Sequence, residues 1–570
     1  MPISRRNFLI SGAVAATLPV TSCATSGSGS PSASSSPAPA LTIAEPPPPI
    51  ELIALSRMGY GPRPGDIERL RAIGLSAYID EQLSPPPGDD PATAQRLSAA
   101  TLPIAYEAEG GYPDTDEQRA LRTLDQPLEE LWQLTNDDTP FAEWAHPLEE
   151  VRAATWIRAA HSRWQLRELL VEFWHDHFNV NASSENPAIA TWPHYDQVMR
   201  RNSLGNFRAF LEEVATSPAM LYYLNNASSQ ASPANENYAR ELFELHTLGA
   251  IHYFNNRYTS WREVPGALAG LAEGFIDDDV YEAARAFTGW TVADGTETES
   301  LTFPNTGAFY YHAGWHDHYQ KRVLGVELAP NSPPLADGRT ILDLLAAHPG
   351  TARHLCTKLC RRLLADDPPT ALVERAAAIW LEHWQAPDQI ARTVRAILLA
   401  PEFAATWGQK VKRPFDLAVS FLRAVDAEVT PNPDLFSIMM ERGHHQFGWP
   451  APNGHPDVAD YWLNSQIMLG RWNTVLDLCS DWLGAARIDL QGQLPQSTLS
   501  ARQIVAFWVD RLLGRPLEPT LMSALVAFMA QGGDPARPPQ AAEEDSEHDL
   551  ADRQISLVTL IAMLPAFQYR

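Results

Sequence analysis

Apolar residues recur with the period of an α-helix along most of this chain, from about residue 51 to the C-terminus. In residues 64–83, for example, Ile67, Leu70 and Ile73 are three positions apart, which places them on one face of a helix. Alternating strand patterns are scarce, and the best one, at 302–311, predicts a small hairpin. The sequence therefore predicts a mainly α fold, one large multi-helical globular unit over 51–570, with a minor β-hairpin element and a candidate subdivision near residue 330.

The predicted helices are separated by turn residues and by two longer polar stretches. Gly- and Pro-containing segments at 88–125 and 532–547 break the helical period and are predicted to be loops. The predicted helices lie at 148–160, 164–178, 205–224, 237–248, 279–288, 338–347, 351–364, 369–384, 389–400, 412–427, 457–470, 501–514, 519–531 and 551–565.

Composition and charge exclude two kinds of partner. The chain has 45% hydrophobic and 20% charged residues, which is normal for a globular protein. It carries 43 Lys and Arg against 69 Asp and Glu, a net charge of −26. Such a surface repels phosphate backbones and anionic lipid. We therefore expect neither nucleic acid nor electrostatic binding to a membrane.

The first 23 residues have the features of an export signal. Arg5 and Arg6 precede a short apolar stretch, which predicts twin-arginine translocation; an ordinary secretory signal is the alternative. Small residues precede Cys23, so this thiol is predicted to carry the lipid of a lipoprotein; a chance cysteine at a conventional cleavage site is the alternative. Residues 24–50 are rich in Ser, Pro and Ala and are predicted to be a tether. The predicted product is a membrane-anchored lipoprotein facing the periplasm or the cell exterior.

Two predicted helices carry titratable residues beside their buried faces. In the helix 164–178, His177 lies on the apolar stripe, whereas His175 lies roughly 200° away around the helix. In the helix 237–248, Glu241 and His246 flank the buried face on opposite sides. The alternatives are a hydrogen-bonded core histidine at 177 and surface ion pairs or cap contacts in the second helix.

A loop that follows several aromatic residues adds His316 and Asp317. Alternating His-Asp-His can supply metal ligands, with the Asp orienting a His; a polar turn is the alternative. Each helix alone offers at most two ligands, so a complete site must be assembled from several segments. The sequence predicts that the residues of this set converge on a divalent metal, and nitrogen and oxygen ligands suit zinc, manganese or iron. The predicted ligands are His177, Glu241, His246 and His316, and Asp317 is predicted to support the ligands without binding the metal itself.

A Gly- and Pro-rich segment contains two weaker signals of the same kind, His444-His445-Gln446 and His455-Pro456-Asp457. The sequence lacks the motifs of common serine hydrolases, zinc proteases, P-loop nucleotide-binding proteins, thioredoxin-like proteins and c-type haem proteins. The absence of these motifs does not exclude an enzyme that uses none of them.

Eight segments of the chain are familiar when taken together and in this order. They are LSRMGYGP at 55–62, FWHDHF at 173–178, NYARELFELHTLG at 237–249, AFTGW at 286–290, HD at 316–317 with the following Lys321 and LG at 324–325, HPGTAR at 348–353, WPAPNG at 449–454 and PAFQYR at 565–570. Together they resemble the bacterial family catalogued as domain of unknown function 1800, from about residue 50 to the C-terminus.

The resemblance implies an exported, mostly helical protein. It also implies a candidate partner, a protein of the family catalogued as unknown function 1501, which is often encoded beside this one. It implies no catalytic residues. The family often has Asp where this chain has Asn453, and this departure argues against a metal role at that position.

Two classes of function follow from these features. The first is an extracytoplasmic enzyme, metal-assisted in one form, that acts on an envelope or environmental substrate. The second is a non-catalytic binding or assembly protein that works with a partner at the cell surface. A bound metal would favour the first class, and stable co-purification with the product of a neighbouring gene would favour the second.

Overall fold

Helices account for most of the chain that the structure describes. The computed structural model describes residues 47–183, 186–257, 260–298, 301–496, 498–540 and 546–570. The predicted signal residues Arg5 and Arg6 and the predicted lipidation site Cys23 lie outside these residues. Within them, no helix is both long enough and apolar enough to cross a bilayer.

Many helices begin at a proline, whose fixed φ suits the first turn and whose missing N–H would have no partner there. The helices are α1 (Ile50–Arg57), α2 (Asp66–Ile73), α3 (Leu75–Gln82), α4 (Pro91–Ala99), α5 (Leu128–Trp132), α6 (Phe141–His161), α7 (Gln165–His177), α8 (Asn186–Ala190), α9 (Trp192–Asn202), α10 (Phe207–Ala215), α11 (Pro218–Tyr223), α12 (Asn237–Glu241), α13 (Asp277–Phe287), α14 (Ala336–Ala346), α15 (Pro349–Leu363), α16 (Thr370–Glu382), α17 (Gln389–Leu398), α18 (Glu402–Ala405), α19 (Pro414–Ala424), α20 (Pro433–Glu441), α21 (Ala459–Trp462), α22 (Ser465–Cys479), α23 (Ala501–Leu513), α24 (Pro519–Ala530), α25 (Ser546–Met563) and α26 (Pro565–Gln568).

The strands form small antiparallel pairs, so the mainly α prediction with minor hairpins is confirmed. In the pair of the strands 290–294 and 305–311, Trp290 lies opposite Tyr311, with an irregular register between Val292 and Asp294. The strand pattern predicted at 302–311 corresponds to the second strand of this pair. The pairs are β1 (Thr101–Tyr106) with β2 (Thr115–Ala120), β3 (Trp290–Asp294) with β4 (Asn305–Tyr311), β5 (Lys321–Val323) with β6 (Val326–Leu328), and β7 (Glu428–Val429) with β8 (Ala486–Arg487).

One hydrophobic core joins the two ends of the described chain. It contains Ile53 of α1 and Phe567 of α26, and it continues across position 330 through Leu328 and Ile341. The described residues from 47 onward accordingly form a single compact unit. The core is the frame on which α7, α15 and α19 hold the polar residues described below.

The prediction of a loop at 88–125 is wrong, because this segment contains α4 and the hairpin of β1 and β2. Asp90 begins α4 by accepting a hydrogen bond from the backbone N–H of Thr93. In β1 the buried Leu102 and Ile104 alternate with exposed residues. The partner strand β2 is polar, and its buried position is Arg119. Its hydrophobic pattern is therefore too weak to identify it as a strand.

Several predicted helices are interrupted in the structure, and one of them, 457–470, spans α21 and the start of α22. The segment 205–224 forms α10 and α11, because Pro218 cannot continue the first helix and begins the second. The segment 237–248 is α-helical only as far as Glu241 and continues as a π-helical turn, Leu242–His246. Such turns change the direction of side chains that a regular period would place on one face.

Candidate functional site

The two histidines of α7 face different parts of the structure, as the helical period predicts. His175 lies with its Nε2 atom 3.0 Å from Oδ1 of Asp196 on α9. His177 is 1% exposed and packs against the rings of Phe178 and His246. Each imidazole therefore has its own set of partners.

The tautomer of His177 follows from its contacts. Its Nε2 atom lies 3.2 Å from the backbone carbonyl oxygen of His246, which can only accept, so Nε2 carries the hydrogen. That carbonyl is available because it lies at the end of the π-helical turn, where it has no partner further along the helix. Nδ1 then accepts a hydrogen bond from Nζ of Lys358 on α15, at 2.9 Å.

His246 is fully buried beside His177. In the described structure neither of its ring nitrogens has a hydrogen-bond partner, and the ring of Phe178 packs edge-on against it at 5.2 Å. Burial first, and then the charge of Lys358, lowers the pKa of His246 to about 3. The ring is therefore neutral at physiological pH.

His316 and Asp317 lie in a different setting from His177 and His246. His316 Nδ1 is 2.9 Å from the carbonyl oxygen of Thr288, and its Nε2 is 3.4 Å from Oδ2 of Asp337. Asp317 pairs with Arg285 at 2.8 Å. The carboxylate beside His316 is thus Asp337, whereas Asp317 is bound to Arg285.

The structure therefore brings together His177 and His246 but divides the predicted ligands between two settings. Glu241 is half-buried at the end of α12, where burial and the neighbouring Glu244 raise its pKa. Among the described residues, no three His, Cys, Asp or Glu side chains are arranged to hold a metal ion. Metal binding by this set stays a prediction.

A carboxylate–imidazole pair lies at the C-terminal end of α7. Oδ1 of Asp176 is 2.9 Å from Nδ1 of His455, and Nε2 of His455 has no hydrogen-bond partner within the described chain. Arg413, just before α19, contacts the other oxygen of Asp176 at 2.5 Å. This is the arrangement in which a carboxylate orients a histidine for proton transfer.

Gly454 makes the approach of His455 to α7 sterically feasible. Its φ of +69° is strained for residues with a side chain, and a Cβ atom there would lie 2.0 Å from the carbonyl oxygen of Asp176. The segment is also held by Asn179, whose Nδ2 donates to the carbonyl oxygens of Trp449 and Ala451 at 3.0 and 2.8 Å. These contacts fix the loop that carries His455 against the end of α7.

A buried ionic network supports the pair from α15 and α19. Arg413 also contacts Glu172 at 2.5 Å, and Arg362 contacts Glu172 at 2.7 Å and Asp416 at 3.0 Å. Burial alone would raise the pKa of Asp416, but Arg362 and Arg570 outweigh this effect and hold the pKa well below its ordinary value. The carboxylates of this network are fixed on both sides by guanidinium groups.

Asp176 and His455 line two neighbouring cavities. One has a volume of about 220 Å³ and is also lined by Lys358, Arg361 and Asp457. The other, of about 30 Å³, borders His175 and has room for about one water molecule. His455 therefore borders space that a small molecule can occupy.

A larger cavity, with a volume of about 860 Å³, lies elsewhere in the described protein. Its three well-buried arginines are neutralised by carboxylates. Arg158 pairs with Asp89, Arg167 with Glu168 and Arg200 with Asp196, at distances of 2.9, 3.2 and 2.7 Å. Size alone favours this groove, but the chemistry of proton transfer favours the pair of Asp176 and His455.

The sequence signals contain parts of this pair but do not join them. His455 gives a weak signal in a Gly- and Pro-rich segment, and Asp176 lies inside the FWHDHF segment at 173–178. The two residues are 279 positions apart. Helical periodicity carries no information over that distance.

Comparison with known proteins agrees with the segments noted in the sequence. No curated protein and no solved structure gave a match. The family model described as Protein of unknown function (DUF1800) matches residues 53–569. Because this match covers nearly the whole chain, the protein belongs to the DUF1800 family.

Proposed function

We propose that this protein is an exported, lipid-anchored enzyme in which His455, oriented by Asp176, carries protons to and from a bound substrate. The observation that supports this most is the 2.9 Å contact between Asp176 and Nδ1 of His455. A carboxylate at Nδ1 favours the tautomer with its hydrogen on that atom, which leaves a lone pair on Nε2. Nε2 can then remove a proton from a substrate, and Asp176 stabilises the imidazolium that forms.

The surroundings of the pair suit repeated proton transfer. Arg413 neutralises Asp176 from the side opposite to His455, at 2.5 Å, so the carboxylate stays in one orientation. His455 also packs against the ring of His444, at 5.2 Å between ring centres. A positioned general acid or base of this kind typically contributes 10²–10⁴-fold to a rate.

Turnover by variants of the full chain tests the catalytic part of the proposal. The protein is incubated with small molecules extracted from cell envelopes, and mass spectrometry follows which compounds are consumed. We expect His455→Gln to lower the rate by about 10²–10⁴-fold and Asp176→Asn to lower it less, because Nε2 remains present. His383→Gln, at the end of α16, is the matched control and should leave the rate unchanged.

Full turnover by His455→Gln would contradict the proposal. If the wild-type protein consumes nothing but co-purifies stably with a protein of the family of unknown function 1501, the non-catalytic binding or assembly role becomes the better account. The metal prediction has its own measurement, which is elemental analysis of the full chain purified without a histidine tag. Stoichiometric zinc, manganese or iron would support it.

The route of export and the anchor are tested by fractionation of cells. Arg5, Arg6 and Cys23 support this part of the proposal. Replacing both arginines with lysine should abolish export, and normal export of that variant would exclude the twin-arginine route. Cys23→Ala should give a soluble exported product, whereas a product that stays with the membrane would exclude lipid attachment at this residue.

A further inference from the structure

Lysine is rare in this chain, and its four copies lie inside the fold or at its edge. The chain has 43 Lys and Arg residues, and all of them except these four are arginines. Three lysines are buried and bound to oxygen atoms: Lys321 to Asp337 at 2.8 Å, Lys410 to Asp457 at 2.9 Å and Lys412 to Ser420 at 2.9 Å. In the described chain Lys358 instead donates to Nδ1 of His177 and pairs with no carboxylate.

Arg361 is a second cation without a carboxylate in the described structure. It lies three positions after Lys358, so both residues share a face of α15. Its Nε donates to the carbonyl oxygen of Asp366 at 2.8 Å, a contact that leaves its charge uncompensated. Lys358 and Arg361 both line the cavity of about 220 Å³ that His455 also lines.

The other charges that line this cavity are compensated within the protein. Arg362 pairs with Asp416, Arg413 with Asp176, and Asp457 with Lys410. Two positive charges therefore remain on one wall, in a chain whose net charge is −26. A partly enclosed space with an excess of one sign attracts a ligand of the opposite sign.

The size of the cavity limits the ligand. Its volume of about 220 Å³ is below the roughly 300–1,000 Å³ of pockets that hold drug-sized molecules. We infer that the cavity binds a small substrate through its carboxylate or phosphate group, which Lys358 and Arg361 hold while the reacting part lies at His455. This inference rests on the proposed function for the role of His455, whereas the binding of the oxyanion stands on the two cations.

Binding to the full chain tests the inference directly. Isothermal titration calorimetry is carried out at constant ionic strength with inorganic phosphate and, separately, with acetate. We expect at least one of them to bind at a single site. Lys358→Gln and Arg361→Gln should each weaken that binding about tenfold or more, the size expected for a charge-assisted hydrogen bond. Lys358→Arg keeps the positive charge and should therefore retain most of the affinity for the anion.

Arg353→Gln is the matched control, because Arg353 lies on the same helix but is half-exposed and pairs with Glu374 at 3.1 Å. The Arg353→Gln variant should bind the anion with the same affinity as the wild type. Binding of acetate alone identifies a carboxylate substrate, and binding of phosphate alone identifies a phosphate ester. Failure of both anions to bind, or equal binding by wild type, Lys358→Gln and Arg361→Gln, would overturn the inference. His455→Gln should still bind the anion, so loss of its turnover alone leaves the inference standing and supports the proposed function.

Discussion

Nη1 of Arg63 lies 2.6 Å from Nδ1 of His161 at the end of α6. A guanidinium group can only donate, so this ring nitrogen must be unprotonated. Burial first, and then the charge of Arg63, lowers the pKa of His161 to about 3. The residue beside His455 has the opposite charge, because it is the carboxylate of Asp176. The charge of the neighbouring residue thus distinguishes His161, which stays neutral, from His455, to which we assign proton transfer as a proposal.

His161 makes the stability of the protein depend on pH in one direction. Above about pH 6.5 neither the folded nor the unfolded state takes up a proton at this residue, so its contribution is constant. Below that pH the unfolded state is protonated and the folded state is not. The free energy of unfolding therefore falls by up to about 1.4 kcal/mol per pH unit, down to the folded pKa.

His161→Gln should remove this part of the pH dependence while it keeps an acceptor for Arg63. Between about pH 6.5 and 5.5, the fall in the free energy of unfolding should be about 1 kcal/mol smaller than in the wild type. Urea unfolding at both pH values measures the difference. The free energy of unfolding of the control variant His383→Gln should fall by the same amount as that of the wild type. If the free energy of His161→Gln falls by this same amount, His161 is protonated in the folded state.

At the scale of elements, the loop before α21 is as specific a structure as the helices around it. Gly454 combines a positive φ with a close contact to the backbone of Asp176. Gly532 also has a positive φ, of +83°, but no atom lies within 4 Å of the point that a Cβ atom would occupy there. The two glycines therefore separate the cost of backbone strain from the cost of a steric clash.

Gly454→Ala should be more destabilising than Gly532→Ala. A non-glycine residue at positive φ costs about 1 kcal/mol or somewhat more, and this is the full expected cost at Gly532. At Gly454 the clash must also move the loop away from α7, so we expect a loss of about 2 kcal/mol or more. Urea unfolding of both variants measures this. If both variants lose the same free energy of unfolding, the loop moves away from α7 without an energetic cost, and its contact with Asp176 is not tight.

The elements that could be predicted are those whose information is local. The period of apolar residues is sufficient to find α7 and α15, and it places His177 on the buried side. It fails for β2, whose buried residue is Arg119, and for the π-helical turn Leu242–His246, which abandons the period of 3.6 residues. In both cases tertiary contacts decide the local structure, and a single sequence does not contain them in periodic form.

At the scale of the whole molecule, the candidate site depends on distant parts of the chain. Asp176 comes from α7, His455 from the loop before α21, Lys358 from α15 and Arg413 from the start of α19. The prediction that a site must be assembled from several segments is sound in principle, but it selects histidines by their proximity to the core. The pair with Asp176 could not be selected this way, because His455 lies in a loop without periodicity.

Arg570 joins several of these segments. It is 1% exposed, lies 3.3 Å from Asp416, and donates to the carbonyl oxygens of Ser56 in α1 and Arg362 in α15. Arg570→Ala should lower the free energy of unfolding by about 3 kcal/mol, because Asp416 loses one of its buried cations and two carbonyl groups lose a donor. Urea unfolding of the full chain measures the loss. Arg537→Ala, at an arginine whose side chain is 81% exposed, should change stability by less than about 0.5 kcal/mol. A loss that small for Arg570→Ala would mean that Arg362 and Arg413 are sufficient to compensate Asp416, and that the ends of the fold are held together by apolar packing.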